Sequence, residues 1–367
     1  MKVSKPTILI LTTHTGGGHL NLAQSLKGLL DTRYNVVIVN PQSEAVDRRY
    51  TSASRHFVKL LEWQYTLTDN TLGSYCMQQV VTLLDHGRIL NVIQHIQPQL
   101  MITTHALLSY AAARANEKSR KRVPLVFQLT DLGRLHMTWF IEKHADAYLA
   151  PTNEIFVQAL KQGIARDRLH LTGRPIRHQF LNVPVNVKEK TLAILGFDPA
   201  IFTIFLQGGA KGSAGIDKTI ETLLNMDIPV QIILAVGNNE AIASRYVGIT
   251  KVRVLPFTET IAPYMASADV IAGKAGASFI SESFMLEKPF IATACISGQE
   301  TPNLQFIKHH NLGWVCLKTS AQKEVFASLT SNPGLITEKE RSICAFKASN
   351  LQANQHIVPI IDQLLSA

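Results

Sequence analysis

The chain has 367 residues, of which 46% are hydrophobic and 17% charged, a composition that excludes a disordered or fibrous protein and predicts two packed cores rather than one. Lys and Arg total 36 against 27 Asp and Glu, a formal net charge of +9. Residues 1–182 hold 21 basic and 12 acidic side chains, so the whole excess lies in the N-terminal half, as expected of a half that meets an anionic surface.

No apolar run approaches the roughly 18 to 20 residues of a spanning helix, so contact with a bilayer is expected to be peripheral. The four cysteines, Cys76, Cys295, Cys316 and Cys344, lack C-x-x-C spacing. That argues against a zinc site or a disulfide framework, and points to a reducing cytoplasm.

In chain order, Lys2 and Lys5 precede an apolar run at 7–13 that is too short for a signal peptide and passes directly into glycines. It reads as a first strand. A helix over 19–30 and a strand over 35–40 follow, and the alternation continues with strands at 100–104, 124–129 and 147–150, the pattern of a parallel sheet. Residues 181–188, rich in Pro, Asn and Val, read as a linker. Beyond it strands are expected at 203–206, 230–236, 252–255, 270–272 and 290–294, with a helix near 216–224, so a second parallel α/β domain follows the first.

Each domain opens with a glycine-rich turn between its first strand and first helix. The first is His14-Thr15-Gly16-Gly17-Gly18-His19. Glycines let a backbone approach a ligand, and the helix start offers free N–H groups and a positive dipole end. That end disfavours an imidazolium, which suits His19 to general-base work near neutrality; a histidine that only caps the turn is the plainer alternative. The glycines are consecutive rather than G-x-G-x-x-G, and the second strand ends at Asn40 rather than at an acid, so a nicotinamide-dependent dehydrogenase is disfavoured. The second turn, 208–215, lacks the Gly-Lys-Ser/Thr ending of a P-loop. With no Asp-x-Asp to present a metal ion, its amides suit metal-independent binding of a diphosphate.

Together these segments resemble the monogalactosyldiacylglycerol synthase branch of glycosyltransferase family 28, from residue 8 to about 315. The resemblance implies the GT-B fold: α/β, with two Rossmann-like domains whose parallel sheets face each other across a cleft. The implied divisions are an acceptor and membrane-side domain at 1–182, a donor domain at 183–345, and a C-terminal helix at 346–367 crossing back to the first. On the acceptor side it implies Gly16, Gly17 and Gly18, with His19 as the base, His105 of a Thr-His element, and His136 and Trp139 of the segment from Leu129 to Phe140. Asp131, in the same segment, is implied as a histidine-orienting group or an alternative base.

On the donor side the resemblance implies Arg177 of a Gly-x-Pro-x-Arg element, Gly208, Gly209 and Ala210 of the phosphate loop, and Phe257 where the backbone reads uracil. It adds Lys274, Ala275, Gly276 and Ala277 at a helix start, Glu282 for the ribose hydroxyls, and Gln299, Glu300 and Asn303 against the hexose. Leu20 and Ala106 depart from the Arg and Pro that family members often carry there, both on the acceptor side. The implied activity is inverting transfer of a hexose from a UDP-sugar to a lipid such as diacylglycerol, with no cofactor or metal. The implied setting is the inner face of the cell membrane, on an anionic surface. Arg48, Arg49, Arg55 and Lys59 beside Phe57, Leu60, Leu61 and Trp63, with a second cluster at Lys118, Arg120, Lys121 and Arg122, are the sequence basis for that surface. A non-lipid acceptor, a UDP-sugar epimerase of the same fold and a non-catalytic nucleotide-binding protein are the alternatives. Nucleic acid is not an expected partner, because no stacking aromatics accompany the basic residues.

Overall fold

The computed structural model describes residues 5–14, 17–43, 58–208 and 215–367, and for 58–61 only the backbone. The expectations for Gly16, Gly209 and Ala210, and for the Arg48, Arg49, Arg55 and Phe57 cluster with the side chains of Lys59, Leu60 and Leu61, lie outside the described residues. The chain divides into two compact units, Met1–Arg177 with Ser349–Ala367, and His178–Ala348.

The first unit contains β1 (Thr7–Leu11), α1 (Gly18–Leu30), β2 (Asn35–Val39), α2 (Val58–Thr68), α3 (Thr71–Ile96), β3 (Leu100–Thr103), α4 (Ala106–Glu117), β4 (Leu125–Gln128), β5 (Ala147–Ala150), α5 (Asn153–Lys161) and β6 (Leu169–Leu171). Its strands form one sheet in the order β2-β1-β3-β4-β5-β6, with every neighbouring pair parallel. Strands β3, β4 and β5 are buried at every position, which is what a parallel sheet covered on both faces requires.

The second unit contains α6 (Val187–Ile194), β7 (Phe202–Gln207), α7 (Ile216–Leu224), β8 (Val230–Ala235), α8 (Glu240–Tyr246), β9 (Val252–Leu255), α9 (Ala262–Ser267), β10 (Val270–Lys274), α10 (Ala277–Met285), β11 (Phe290–Ala294), α11 (Thr301–His309), β12 (Gly313–Val315) and α12 (Thr319–Ser331). Its parallel sheet runs β12-β11-β10-β7-β8-β9. Helix α13 (Gly334–Asn354) starts in this unit and ends in the first, which α14 (Ile357–Ser366) completes.

Each sheet therefore has a point where the chain order reverses: between β1 and β3 in the first unit, and between β7 and β10 in the second. In open parallel sheets the loops leaving the carboxyl ends of two such strands diverge and leave a crevice, where ligands bind. Residues 187–194, partly read as linker from the sequence, form α6. The short edge strands β6 and β12 have no counterpart in the sequence reading, because three residues carry too little alternation to register.

The C-terminal segment is tied to the first unit by both apolar and polar contacts. Ile357 and Ile361 are fully buried in one cluster with Ile8, Ile10, Leu26 and Leu100. The side chains of Arg33 and Tyr34 both donate to the Asp362 carboxylate. Buried Asn350 clamps the backbone of one residue: its Oδ1 accepts from the Arg174 amide at 2.7 Å and its Nδ2 donates to the Arg174 carbonyl at 3.0 Å. Asn350→Ala leaves two buried backbone groups without these partners, and an unpaired buried polar group costs about 1–3 kcal/mol. Urea denaturation followed by circular dichroism is expected to show this variant destabilised by about 2 kcal/mol or more; an unchanged midpoint would show that the clamp contributes nothing.

Candidate active site

At the first switch point, β1 leads into the glycine turn and α1 begins at Gly18. Gly17 caps the helix at φ 78°, in the left-handed region that an L side chain adopts only at a cost. His19 thus falls in the first turn of α1, and its ring crosses to the neighbouring strand, where Nδ1 lies 2.8 Å from the carbonyl oxygen of Thr104 just beyond β3. A carbonyl can only accept, so Nδ1 carries the hydrogen and the lone pair is on Nε2. Burial pushes the imidazole down from 6.5 to about 4; the Thr104 carbonyl opposes the shift and the positive charge of Arg174 adds to it. The ring is neutral at pH 7 with its basic nitrogen fixed.

His105 stands against it, with ring centroids 4.3 Å apart in an edge-on contact. Its Nδ1 accepts from the Leu107 amide at 3.2 Å and caps α4, which places its hydrogen on Nε2, the opposite tautomer. Burial, then the proximity of His19, holds His105 well below 6.5. Two neutral imidazoles with complementary hydrogen placement therefore stand at the carboxyl ends of adjacent strands.

Asp131 is partly exposed three residues beyond β4, the next strand along. It lies close enough to Tyr65 that, after burial, its charge is the strongest influence raising the phenol pKa. Arg174 is buried, and its guanidinium donates to the Thr130 carbonyl beside Asp131. Its positive charge acts on His19, while Arg177 of the same element, expected on the donor side, is partly exposed.

His136 and Trp139 are not brought to this surface. Trp139 is 2% exposed and packs in the core against Phe127, at 6.4 Å between centroids. His136 is also buried: its Nδ1 accepts from the Thr138 amide at 3.2 Å, and its Nε2 donates to the Tyr65 carbonyl at 3.1 Å. Burial lowers its pKa as well. Both were expected to line the acceptor side. Instead they brace the segment that carries Asp131 and hold the end of α2 against it.

In the second unit, Gly208 is buried at the end of β7, and α7 starts beyond Gly215. Across the switch point, β10 approaches so closely that a Cβ at Gly273 would lie 2.0 Å from the Gln207 carbonyl oxygen, at φ +151°. Only glycine closes that gap. Lys274, Ala275 and Gly276 then turn into α10 at Ala277, and the Lys274 ammonium pairs with the Glu300 carboxylate. The second carboxylate oxygen of Glu300 accepts from the Ile296 amide at 2.8 Å. Asn303, fully buried, donates to the Ala275 carbonyl at 3.1 Å. Four expected donor residues, Lys274, Ala275, Glu300 and Asn303, are thus one hydrogen-bonded unit, in which both oxygens of Glu300 are engaged.

Glu282 is a buried acid within α10. Gln299 lies on the turn before α11, partly exposed. Phe257 is 63% exposed past the end of β9, two strands from β7. The groups of this unit suited to receiving an anion are the starts of α7 and α10 and the Lys274 ammonium. Sequence reasoning missed Thr104, Tyr65 and Arg174, none of which carries a signal apart from its neighbours in space.

Two Rossmann-like units with six-stranded parallel sheets, each with polar side chains gathered at its switch point, define the GT-B class. Residues 22–176 match the family model for monogalactosyldiacylglycerol synthase, and residues 203–354 match that for the C-terminal domain of glycosyltransferase family 28. The chain belongs to glycosyltransferase family 28, in its monogalactosyldiacylglycerol synthase-like branch. It is 25% identical over 337 residues to the probable chloroplastic monogalactosyldiacylglycerol synthase of Glycine max, covering 83% of this chain and 62% of that one. The chloroplastic monogalactosyldiacylglycerol synthase of Spinacia oleracea is 26% identical over 332 residues, covering 84% and 63%. The chain thus spans less than two thirds of the length of these relatives. Among solved structures, Anabaena HepE in complex with UDP and glucose aligns at TM-score 0.63 and 15% identity, over 98% of this chain and 100% of that one. A UDP-N-acetylglucosamine 2-epimerase aligns at 0.59 and 14%, over 99% and 96%.

The depressed histidines set a pH dependence. In the unfolded chain they take up protons near pH 6.5, whereas in the fold His19 resists until about pH 4 and His105 and His136 are shifted the same way. The unfolded state therefore binds more protons below pH 6.5, and stability falls as pH drops from there toward 4. Urea midpoints measured between pH 7.5 and 4.5 are expected to decline on this limb, with a shallower decline in His19→Gln. A flat profile would mean that these rings are not held neutral.

Proposed function

We propose that the chain transfers a hexose from a UDP-sugar to the hydroxyl of a lipid such as diacylglycerol, with inversion at the anomeric carbon and without a metal cofactor. The observation that carries this reading is the neutral His19 with its lone pair fixed on Nε2, in a chain whose two halves match the two family models. The relatives support the substrates: they are monogalactosyldiacylglycerol synthases, and the Anabaena structure holds UDP and glucose.

In this mechanism His19 Nε2 removes the acceptor proton as the acceptor oxygen attacks the anomeric carbon. The bond to the diphosphate breaks on the opposite face through an oxocarbenium-like transition state. Negative charge grows on the leaving phosphate, and the amides at the start of α7 and α10, with the Lys274 ammonium, supply fixed positive potential for it. Arg177 is proposed as a further cation on the diphosphate, Glu282 as the ribose acceptor, Gln299 with the Glu300 and Asn303 turn as the hexose grip, and Phe257 as the neighbour of the base. Asp131 is proposed to orient the acceptor side through the Tyr65 and His136 segment, which leaves the proton transfer to His19. The site is proposed to work on the cytoplasmic face of a membrane. No described helix is long and apolar enough to cross one.

The epimerase alternative shares the fold, at a TM-score of 0.59, and fold alone does not discriminate between the two. An epimerase converts a UDP-sugar without any acceptor, whereas a transferase releases UDP only when one is present. Offering a panel of UDP-sugars with and without diacylglycerol vesicles separates them by UDP release. His19→Ala is expected to lower turnover by about two to four orders of magnitude while donor affinity, read by calorimetry with UDP, stays within about twofold. Near-normal turnover in that variant would remove His19 from the mechanism.

A further inference from the structure

Two residues assigned above to different parts of the donor are bonded to each other. Lys274, proposed to face the leaving phosphate, has its ammonium on the carboxylate of Glu300, proposed to grip the hexose. Their side chains are 18% and 6% exposed, so water screens the pair poorly. The pair lies directly over the start of α10. A Cβ built on Gly276, the residue that caps this helix, would stand 3.4 Å from Lys274 Nζ and 3.5 Å from Glu300 Oε1. The carboxylate therefore sits where the positive end of a helix and a lysine both favour an anion.

The two oxygens of Glu300 have separate partners. Oε2 accepts from the Ile296 amide at 2.8 Å, and the Glu300 amide donates to the Ile296 carbonyl at 2.9 Å, so side chain and main chain of one residue together close the turn before α11. Oε1 is the oxygen that meets the lysine. Asn303, in the first turn of α11, donates to the Ala275 carbonyl and so joins this helix to the residue after Lys274. The backbone on both sides of the pair is thereby fixed, and so is the carboxylate. The member able to move is the ammonium, a point charge with three donors on a flexible four-carbon stem. Were it to leave, Oε1 would stay in place, charged and able to accept a hydrogen bond.

We propose that Lys274 and Glu300 form an exchange pair that selects intact nucleotide diphosphate sugars: the phosphate next to the sugar draws the ammonium off Glu300, and the released Oε1 accepts from the hexose hydroxyls. This deepens the function proposed above and rests on its assignment of this unit to a UDP-sugar. Separating a poorly solvated pair leaves each charge uncompensated, so half an exchange is unfavourable. A free hexose brings hydroxyls for Oε1 but no anion for the lysine, and a nucleoside monophosphate lacks the phosphate that lies beside the sugar. A diphosphate with its sugar attached supplies both new partners at once. Repulsion between phosphate and carboxylate on a shared ammonium drives the exchange, since two anions held that close in a dry site oppose each other strongly. The phosphate and the sugar therefore bind with positive coupling, which is reciprocal: each raises the affinity for the other.

The test is a titration of the full chain with free galactose and free glucose, followed by saturation-transfer NMR, with UDP or UMP present at a saturating level set by calorimetry. In wild type the better-bound hexose is expected to bind at least about fivefold more tightly with UDP than with UMP, because UDP brings the phosphate that frees Oε1. In Lys274→Met and in Glu300→Gln the two nucleotides are expected to give hexose affinities within about twofold of each other, the first because Oε1 is free throughout, the second because the carboxylate is gone. Glutamine keeps an oxygen for the Ile296 amide, so circular dichroism is expected to report a folded Glu300→Gln, and this variant decides the matter if Lys274→Met does not fold. Equal hexose affinity with UDP and UMP in wild type would overturn the inference, since the ammonium would then bridge phosphate and carboxylate without leaving either. A UDP-dependent gain that survives in Glu300→Gln would overturn it too, because the phosphate would then touch the sugar directly. A wild type that binds UDP and transfers hexose without this gain loses the exchange alone, whereas one that binds no uridine nucleotide loses the donor assignment and the exchange with it.

Discussion

The bond from His19 Nδ1 to the Thr104 carbonyl joins the two strand ends where the chain order of the first sheet reverses. Its existence depends on the parallel register of β1 with β3, which sets residue 104 beside the turn after residue 11. A second contact holds the same junction, from the Thr104 hydroxyl to Thr12 at 2.9 Å. The consequence is chemical as well as structural. One hydrogen bond fixes the tautomer, burial fixes the charge state, and the left-handed Gly17 lets the chain turn sharply enough to bring the ring there. Removing any one of the three would leave an imidazole that is charged, rotated or absent from the crevice.

In the proposed reaction the second unit meets a different demand with the same topology. An anion needs positive potential that is already in place when charge develops, and a free lysine on a flexible stem supplies it poorly. Here the Lys274 ammonium is held by Glu300, whose other oxygen is fixed by the Ile296 amide, while Asn303 holds the Ala275 carbonyl. The lysine is thereby ordered before any ligand arrives. A carboxylate so engaged is poorly placed to grip a sugar hydroxyl with the same oxygens unless the pair opens, so its first duty is to the lysine. The close approach at Gly273 makes the arrangement possible by letting β10 run tightly against β7.

Much of this was legible in the sequence where the signal is local. Strand-helix alternation, the two glycine turns and the order of motifs from His19 to Asn303 need only neighbours in the chain, and they point to the fold and family that the structure and comparisons bear out. What the sequence could not show depends on which residues meet across it. Trp139 and His136 read as site residues because of their motif, yet their neighbours Phe127, Tyr65 and Thr138 make them supports. Arg174 escaped notice because no motif marks it; its burial, its bond to the Thr130 carbonyl and its effect on His19 appear only in the fold. The exposed leucines of α3, Leu72, Leu83 and Leu84, escaped notice for a related reason: amphipathic periodicity says that one face is apolar but not which face points in, and over the first half of this helix the buried side chains Ser74 and Gln78 are the polar ones.

As the proposed base, His19, pushed down to about 4 by burial, would be fully available at neutral pH but intrinsically weak, and general-base catalysis works best with a pKa near the working pH. Burial is the largest depressing cause, so a substrate that only excluded more water would push the value further down. What raises it is negative charge. In the proposed reaction that charge arrives with the donor and grows as the sugar–phosphate bond breaks, at the moment when the acceptor hydroxyl, bonding to an electron-poor carbon, becomes acidic. The ring is then a poor base toward a resting hydroxyl and an adequate one toward an attacking hydroxyl, which couples proton removal to departure of the diphosphate and disfavours a charged alkoxide formed ahead of it.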